Sequence, residues 1–114
     1  MSKVERTGNR QLRSIVYGAS SDIHGKGVFA SRDIDGGEYI GTFAGPEVRR
    51  DGEYVLWVYE SEDDGDPVGR SGRNLLRFLN HASPGNAGFD GFDLYAEGNI
   101  AQDEEITIDY GDEL

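Results

Sequence analysis

Short clusters of hydrophobic residues, separated by glycine-rich turns, run along most of this chain. Seventeen glycines interrupt the sequence, so each hydrophobic cluster is only long enough for a short strand. Clusters rich in β-branched and aromatic residues between turn residues are typical of β-strands. The pattern predicts strands at residues 12–17, 28–30, 38–43, 53–59, 92–96 and 105–109.

One segment has a helical pattern instead. Leucine and phenylalanine cluster in "RNLLRFL", residues 73–79, at a spacing that suits about two helical turns. We therefore expect a mostly-β domain with one or two short helices. In such a domain the loops carry the functional groups.

Length and composition indicate one small folded domain. The chain has 114 residues, of which 36% are hydrophobic, and it includes one Trp, six Tyr and five Phe. The absence of cysteine excludes disulfides and thiolate metal sites. No apolar run approaches the roughly 20 residues that span a membrane, and no signal-peptide pattern opens the chain. We expect a soluble intracellular protein, cytoplasmic or, in a eukaryotic or viral source, nuclear.

The net charge of −11 is unevenly distributed. Residues 1–13 have a local charge of +3, so the rest of the chain carries −14. The charged residues of this first segment are four cations and one carboxylate: Lys3, Arg6, Arg10, Arg13 and Glu5. We expect a loose basic tail over residues 1–13 and a domain over residues 14–114. An acidic surface repels nucleic acid and attracts basic peptides. The same acidity is also sufficient to explain solubility alone.

Three motifs are misleading. "GKGVFA", residues 25–30, matches a dinucleotide-binding turn, but no helix follows it to hold a pyrophosphate. The acidic residues 60–65 resemble the start of a calcium loop whose twelfth position, normally glutamate, is Ser71. His24 and His81 lack the spacing of metal ligands. No metal site is predicted.

Four other segments occur together in a distinctive order. They are "IHGKGVFASRDIDGGEYI" at 23–40, "EYVLWVY" at 53–59, "RFLNHASPGN" at 77–86 and "LYAEGNIAQDEEITIDYG" at 94–111. Together they resemble the SET domain, the fold of protein-lysine methyltransferases that use S-adenosylmethionine. The resemblance implies a β-clip-like fold of several small sheets with a C-terminal pseudoknot. The C-terminal segment then passes under a preceding loop and places Asn80 and His81 beside residues 108–110.

The resemblance also implies roles for particular residues. Tyr110 and Tyr54 would be catalytic, and Ile108 and Trp57 would line the substrate channel. The residues implied to bind S-adenosylmethionine are Gly25, Lys26, Gly27, Tyr54, Arg77, Asn80, His81 and Tyr110. Taken alone, Asn80 and His81 would rather indicate local backbone bonds in a turn. Tyr54 is equally compatible with a core position on a strand.

Several positions depart from the family pattern. Ala82 replaces the serine after Asn-His, Phe43 replaces the tyrosine of a Y-x-G segment, and Asp103 replaces a glycine. Ile108 stands where many relatives carry Phe or Tyr. Since isoleucine has no hydroxyl to hold a water, the resemblance implies that successive methylation of one lysine is permitted.

The sequence ends three residues after Gly111, without the cysteine-rich segment that covers the lysine site in many relatives. We therefore expect a site open on one side. Either a two-fold homodimer or the peptide substrate would supply the missing wall, and we favour the dimer.

The function implied is transfer of a methyl group to a lysine side chain in a basic protein or peptide, histone-like or other. No direct nucleic-acid binding is expected. The alternative is a SET-fold binding module with weak catalysis that recognises basic protein segments.

Overall fold

The computed structural model of this protein describes residues 12–58 and 67–109. Most of the predicted basic tail, together with Tyr59 and Tyr110, lies outside the described residues. Within those two ranges the chain forms ten strands and a short 3-10 helix, Leu75–Phe78. In chain order the strands are β1 Val16–Ser20, β2 Lys26–Ala30, β3 Tyr39–Thr42, β4 Glu47–Val48, β5 Val55–Val58, β6 Val68–Ser71, β7 Asn80–His81, β8 Ala87–Asp90, β9 Asp93–Ala96 and β10 Glu105–Ile108.

The strands form two sheets. The larger has the order β1-β2-β10-β8-β9-β3, and β7 also pairs with β10. The smaller is antiparallel, with the order β4-β6-β5. No helix in the described part of the chain is long and apolar enough to cross a membrane. The prediction of a mostly-β fold with several small sheets and little helix is confirmed.

Aliphatic side chains from the larger sheet and the 3-10 helix form the core. Full burial of each contributes roughly 1.5–3 kcal/mol relative to an exposed position. Strand β10 is central to this core, with Ile106, Thr107 and Ile108 all buried. The largest fully buried side chains are Leu12, Ile34, Ile40, Leu76, Leu94, Ile100, Ile106, Val16 and Val28.

The segment between β7 and β8, residues 82–86, crosses strand β10. At its start the Ala82 N–H donates to the Ile108 carbonyl (3.0 Å), and at its end the Asn86 N–H donates to the Thr107 carbonyl (3.1 Å). Successive carbonyls of an extended strand point to opposite edges, so the two ends of the segment bond opposite edges of β10. A Cβ at Gly85 would lie 2.8 Å from the backbone of Ile108. The crossing is thus close enough to require glycine.

This crossing confirms the predicted pseudoknot. Asn80 pairs with Thr107 and His81 with Ile108 in a parallel register. The expected approach of the Asn-His pair to Ile108 is therefore confirmed, whereas Tyr110 lies outside the described residues.

The predicted strands differ from the observed ones mainly at their ends and in number. Residues 13–15 form a turn, closed by an Ile15 N–H to Leu12 carbonyl bond, so β1 begins at Val16 instead of residue 12. The predicted helix at 73–79 is the shorter 3-10 helix. Strands β4, β6, β7 and β8 were not predicted, because they are short or contain glycine and polar residues. Strand β7 also depends on the distant β10 for its pairing.

Asp103, which stands at a usual glycine position, has a φ of 71°. This left-handed conformation explains why glycine is common there, and aspartate is among the few other residues that tolerate it. Its carboxylate accepts a hydrogen bond from the Tyr17 hydroxyl (2.8 Å). That bond is the main reason why the pKa of Tyr17 is raised above its ordinary value.

Candidate functional site

A cavity of about 260 Å³ lies where three separate chain segments meet, residues 24–26, 53–54 and 77–80. It is bordered by the turn before β2, the residues before β5, the end of the 3-10 helix and the start of β7. Four predicted cofactor residues line it: Lys26, Tyr54, Arg77 and Asn80. Four residues without a predicted role complete the lining: His24, Glu53, Phe78 and Leu79.

The loop that carries Gly25, just before Gly27 in strand β2, is a tight turn at the rim of this cavity. The Ser21 N–H donates to the Gly25 carbonyl (2.8 Å), and Gly25 has a φ of 46°, a conformation that favours glycine. Gly27 is buried, and a Cβ there would overlap the carboxylate of Glu105. Neither glycine lines the cavity itself, but both shape the loop that presents His24 and Lys26 to it.

The Asn80 amide is bonded to the protein. Its Nδ2 lies 3.1 Å from the carbonyl of His24, 3.2 Å from the carbonyl of Lys26 and 3.0 Å from Oε2 of Glu105. These partners are distant in sequence, so Asn80 does not act as a simple turn residue. It ties β7 to the loop before β2 while it also lines the cavity.

His81, the second residue of β7, is placed differently. Its Nε2 lies 3.9 Å from Oδ1 of Asp109, and its side chain is half exposed. Ser83 donates a hydrogen bond to Oδ2 of the same aspartate (2.8 Å). Asp109 therefore contacts β7 through His81 and the crossing segment through Ser83. His81 is absent from the cavity lining.

The cavity combines charges of both signs with aromatic rings. The Phe78 ring lies 5.1 Å from Nζ of Lys26 and 4.3 Å from the guanidinium carbon of Arg77. Tyr54 contacts the same ring edge to face, with centroids 5.8 Å apart. Glu53 adds a carboxylate at the rim. Such a lining suits a ligand that has both charged and aromatic parts.

A second, narrower cavity of about 50 Å³ adjoins the first. Both share Glu53, Tyr54, Arg77 and Leu79 as walls. Its remaining lining is apolar: Phe43, Val55, Leu56, Leu76 and Phe89. The rings of Phe43 and Phe89 meet edge to face at 6.1 Å. The narrow cavity thus has apolar walls on one part and the charged groups of Glu53 and Arg77 on another.

The two predicted channel residues lie elsewhere among the described residues. Ile108 is 5% exposed in the core. Trp57 packs on Gly69 of the small sheet, and its indole N–H donates to Asp51 (3.0 Å). That hydrogen bond is the main cause that lowers the pKa of Asp51. Neither Ile108 nor Trp57 lines either cavity.

Sequence reasoning missed several residues that the fold brings to the site. Phe43 was noted only as a departure from Y-x-G, and Glu105 only as part of a motif. Glu53 had a weak signal, since it directly precedes Tyr54. Phe89 had none, because strand β8 was not predicted. Among the described residues, no group of three or more histidine or acidic side chains is arranged to hold a metal ion.

Comparison with known proteins agrees with this geometry. A sequence model of the SET domain matches residues 25–111 of the chain. The chain is 28% identical over 129 aligned positions to histone-lysine N-methyltransferase trithorax of Drosophila virilis, covering 96% of this chain and 3% of that protein. It is 30% identical over 109 positions to human histone-lysine N-methyltransferase 2B, covering 79% of this chain and 4% of that protein. The chain therefore spans only a small part of these relatives.

The fold is also found in a solved structure. The crystal structure of polycomb repressive complex 2 from Chaetomium thermophilum matches 84% of this chain and 15% of that chain, with a TM-score of 0.70 and 24% identity. At this identity the similarity concerns the fold alone. Because the family model covers most of the chain, this protein belongs to the SET domain family.

Proposed function

We propose that this chain is a methyltransferase that uses S-adenosylmethionine to methylate the side-chain amine of lysine in a basic protein or peptide. The observation that carries the proposal is the convergence of Lys26, Tyr54, Arg77 and Asn80 on one cavity. Their motifs lie in three separate parts of the sequence. Membership of the SET domain family and the names of two relatives, both histone-lysine N-methyltransferases, support the same activity.

The larger cavity fits the cofactor chemically. Arg77 and Lys26 would hold a carboxylate, Glu53 an ammonium group, and the rings of Tyr54 and Phe78 an aromatic base. Its volume of about 260 Å³ is near the lower end of ligand pockets, about 300–1,000 Å³. When bound, S-adenosylmethionine supplies an electrophilic methyl group on a sulfonium sulfur.

The narrow cavity is the proposed site for the acceptor lysine. An amine can accept a methyl group only through its lone pair, so it must first lose its proton. The apolar part of the lining, with Phe43 and Phe89, and the positive charge of Arg77 would favour the neutral amine by lowering its pKa. The shared wall of Tyr54 and Arg77 would place the amine next to the cofactor. Such orientation can contribute several kcal/mol, up to about 7–11, to lowering a reaction barrier.

Tyr110 keeps its proposed catalytic role, in which its hydroxyl orients the amine. It follows directly on Asp109, whose carboxylate contacts the Asn-His segment through His81 and Ser83. This places the backbone before Tyr110 beside the crossing segment. The chain's net charge of −11 would attract a Lys- or Arg-rich substrate.

The test is methyl transfer from labelled S-adenosylmethionine to a panel of basic proteins and peptides. We expect transfer by the wild type and by Tyr39→Phe, since Tyr39 is exposed on β3 and lines neither cavity. Tyr110→Phe should lower kcat by at least about tenfold. Lack of transfer by the wild type to every substrate, although cofactor binds in calorimetry, would favour the binding module instead.

A further inference from the structure

Glu105 lies at the centre of a closed hydrogen-bond circuit beneath the rim of the larger cavity. Its carboxylate accepts two contacts from the Ser21 hydroxyl (2.8 and 2.9 Å) and one from the Asn80 amide (3.0 Å). Ser21 Oγ in turn accepts the N–H of Ile23 (2.9 Å). The circuit closes where the His24 carbonyl accepts from Asn80 (3.1 Å).

The circuit joins three elements that sequence separates widely. Ser21 and His24 belong to the turn before β2, Asn80 begins β7, and Glu105 begins β10. The carboxylate also lies directly against Gly27, where any Cβ would overlap it. His24 and Asn80 line the cavity, whereas Glu105 does not. Glu105 therefore contacts the residues that form the rim without contacting the cavity itself.

The chemistry of the circuit matches a carboxylate better than a neutral amide. Both groups that contact Glu105 are donors, the Ser21 hydroxyl and the Asn80 amide. An ionised carboxylate offers only acceptors, whereas a glutamine amide has nearly the same shape but presents two donors on one side. Oε2 accepts from both donors, so a glutamine oxygen in its place would keep both hydrogen bonds but in the weaker, neutral form. The glutamine nitrogen would then face Ser21 Oγ, which already accepts the Ile23 N–H.

We propose that Glu105 is a positioning residue for cofactor binding: its carboxylate holds the Ser21–Lys26 turn and Asn80 in the binding geometry before the cofactor arrives. A rim that is already ordered does not lose conformational freedom on binding, and this raises affinity. The role differs from that of the proposed catalytic tyrosine, because Glu105 acts through Asn80 and the turn. The identity of the ligand in this inference rests on the proposed function. The effect of Glu105 on the order of the Ser21–Lys26 turn does not depend on it.

Glu105→Gln, compared with Glu104→Gln, tests this role. Both variants remove one negative charge from adjacent residues, but Glu104 is exposed and accepts only a local bond from the Ala101 N–H (2.9 Å). The first measurement is amide hydrogen exchange of the protein without cofactor. We expect at least about tenfold faster exchange at Ile23 and His24 in Glu105→Gln, with the core amides of β2 and β10 unchanged. Glu104→Gln should match the wild type.

The second measurement is S-adenosylmethionine binding by calorimetry, with kinetics where transfer is found. We expect Kd and KM for the cofactor to rise about tenfold in Glu105→Gln, with kcat at saturation within about twofold of the wild type. Ser21→Ala should shift the same quantities in the same direction. Glu105→Asp, which keeps the carboxylate, should bind more tightly than Glu105→Gln.

The outcomes separate this inference from the proposed function. If the wild type binds no S-adenosylmethionine, the proposed function fails, and the exchange measurement alone then decides the role of Glu105. If Glu105→Gln and Glu104→Gln show the same amide hydrogen exchange rates at Ile23 and His24, the inference is wrong. A uniform rise in exchange across the whole chain would also overturn it, because Glu105 would then stabilise the fold generally.

Discussion

At the scale of single residues, the clearest electrostatic feature away from the cavities is the Arg32–Glu38 pair. Glu38 accepts hydrogen bonds from the Arg32 guanidinium and from the Asp35 N–H (3.1 Å). These bonds, that from Arg32 above all, lower the pKa of Glu38 and raise that of Arg32. Both side chains are largely exposed to solvent, so the pair is screened and contributes modestly to stability.

The direction of the Glu38 shift predicts a pH dependence. A carboxylate whose pKa is lower in the folded protein stabilises the fold above its unfolded pKa, and this contribution is lost as the pH falls through the folded pKa. We expect Glu38→Gln to destabilise the protein by less than about 1 kcal/mol at pH 7 and to have almost no effect near pH 2. Urea denaturation at both pH values measures this, with the exposed Asp90→Asn as control. An equal loss at both pH values would contradict the prediction.

Phe89 offers a second test at the residue scale. A hydroxyl added in Phe89→Tyr would occupy part of the narrow 50 Å³ cavity and could hold a water, leaving less room for an amine that already carries methyl groups. We expect the wild type to methylate one lysine successively and Phe89→Tyr to shift products toward monomethyl-lysine. Mass spectrometry of the products measures the shift. Phe29→Tyr, at a ring stacked on Tyr17 and outside both cavities, is the control.

A product of the wild type that stays monomethylated at long times would contradict the first half of this prediction. Identical product distributions for Phe89→Tyr and Phe29→Tyr would show that the narrow cavity does not receive the acceptor amine.

At the scale of elements, strand β10 organises the site. It pairs with β2, β7 and β8, so the loop before β2 and the Asn-His segment are both held against one strand. Asn86 strengthens this arrangement: its amide donates to the Glu105 carbonyl (2.9 Å) and accepts from the Thr107 N–H (2.8 Å). The crossing segment and β10 should therefore unfold together.

The close crossing predicts that Gly85→Ala is destabilising. The added Cβ would lie 2.8 Å from the Ile108 backbone, which cannot rotate away as a side chain could. We expect a loss of about 1–3 kcal/mol in the free energy of unfolding, the usual cost of overpacking. Gly98→Ala is the matched control, since a Cβ at Gly98 meets nothing within 4 Å. Equal urea midpoints for the two variants would refute the close crossing.

At the scale of the whole molecule, charge is the dominant property. A net charge of −11 on 114 residues produces a field that attracts cations and is screened by salt over about 10 Å at 0.1 M. If the substrate is a basic segment, its association depends on this field. Binding inside the larger cavity depends on local contacts and is screened less.

We therefore expect KM for a Lys- and Arg-rich peptide to rise severalfold between about 0.05 and 0.5 M salt. The KM for S-adenosylmethionine should change less over the same range. Steady-state kinetics with each substrate varied in turn would measure both. A peptide KM that does not depend on salt would contradict electrostatic attraction of the substrate.

The homodimer remains a prediction at the same scale. Among the described residues, Ile23, Tyr39 and Tyr54 are the large hydrophobic side chains most exposed to solvent, and Tyr54 lines the cavity while Ile23 adjoins His24. A partner covering this rim would bury Ile23 and Tyr54. Light scattering at micromolar concentration should give twice the chain mass of 12.5 kDa. The Ile23→Ser variant should give a measured mass closer to that of the monomer. A monomeric wild type that transfers methyl efficiently would exclude a required dimer.

Sequence by itself determined the class of fold and the identity of the motif residues. Strands β2, β3, β5, β9 and β10 follow from local runs of β-branched and aromatic residues, and the order of the four motifs was sufficient to indicate the SET domain. The cavity residues Lys26, Tyr54, Arg77 and Asn80 were also named from these motifs. These features can be predicted from the local sequence because they depend directly on the type and spacing of the side chains.

Only the tertiary structure decided the partners of Asn80, the contacts of Glu105 and the walls of the narrow cavity. Strand β7 pairs only with the distant β10, whereas β8 forms a hairpin with β9 and joins β10 at Ala87, and neither has a strong strand pattern of its own. Phe89 and Phe43 meet only because β8 and the end of β3 are brought together through β9. Such contacts join residues tens of positions apart, so their free energy depends on the whole fold, and no local pattern records it.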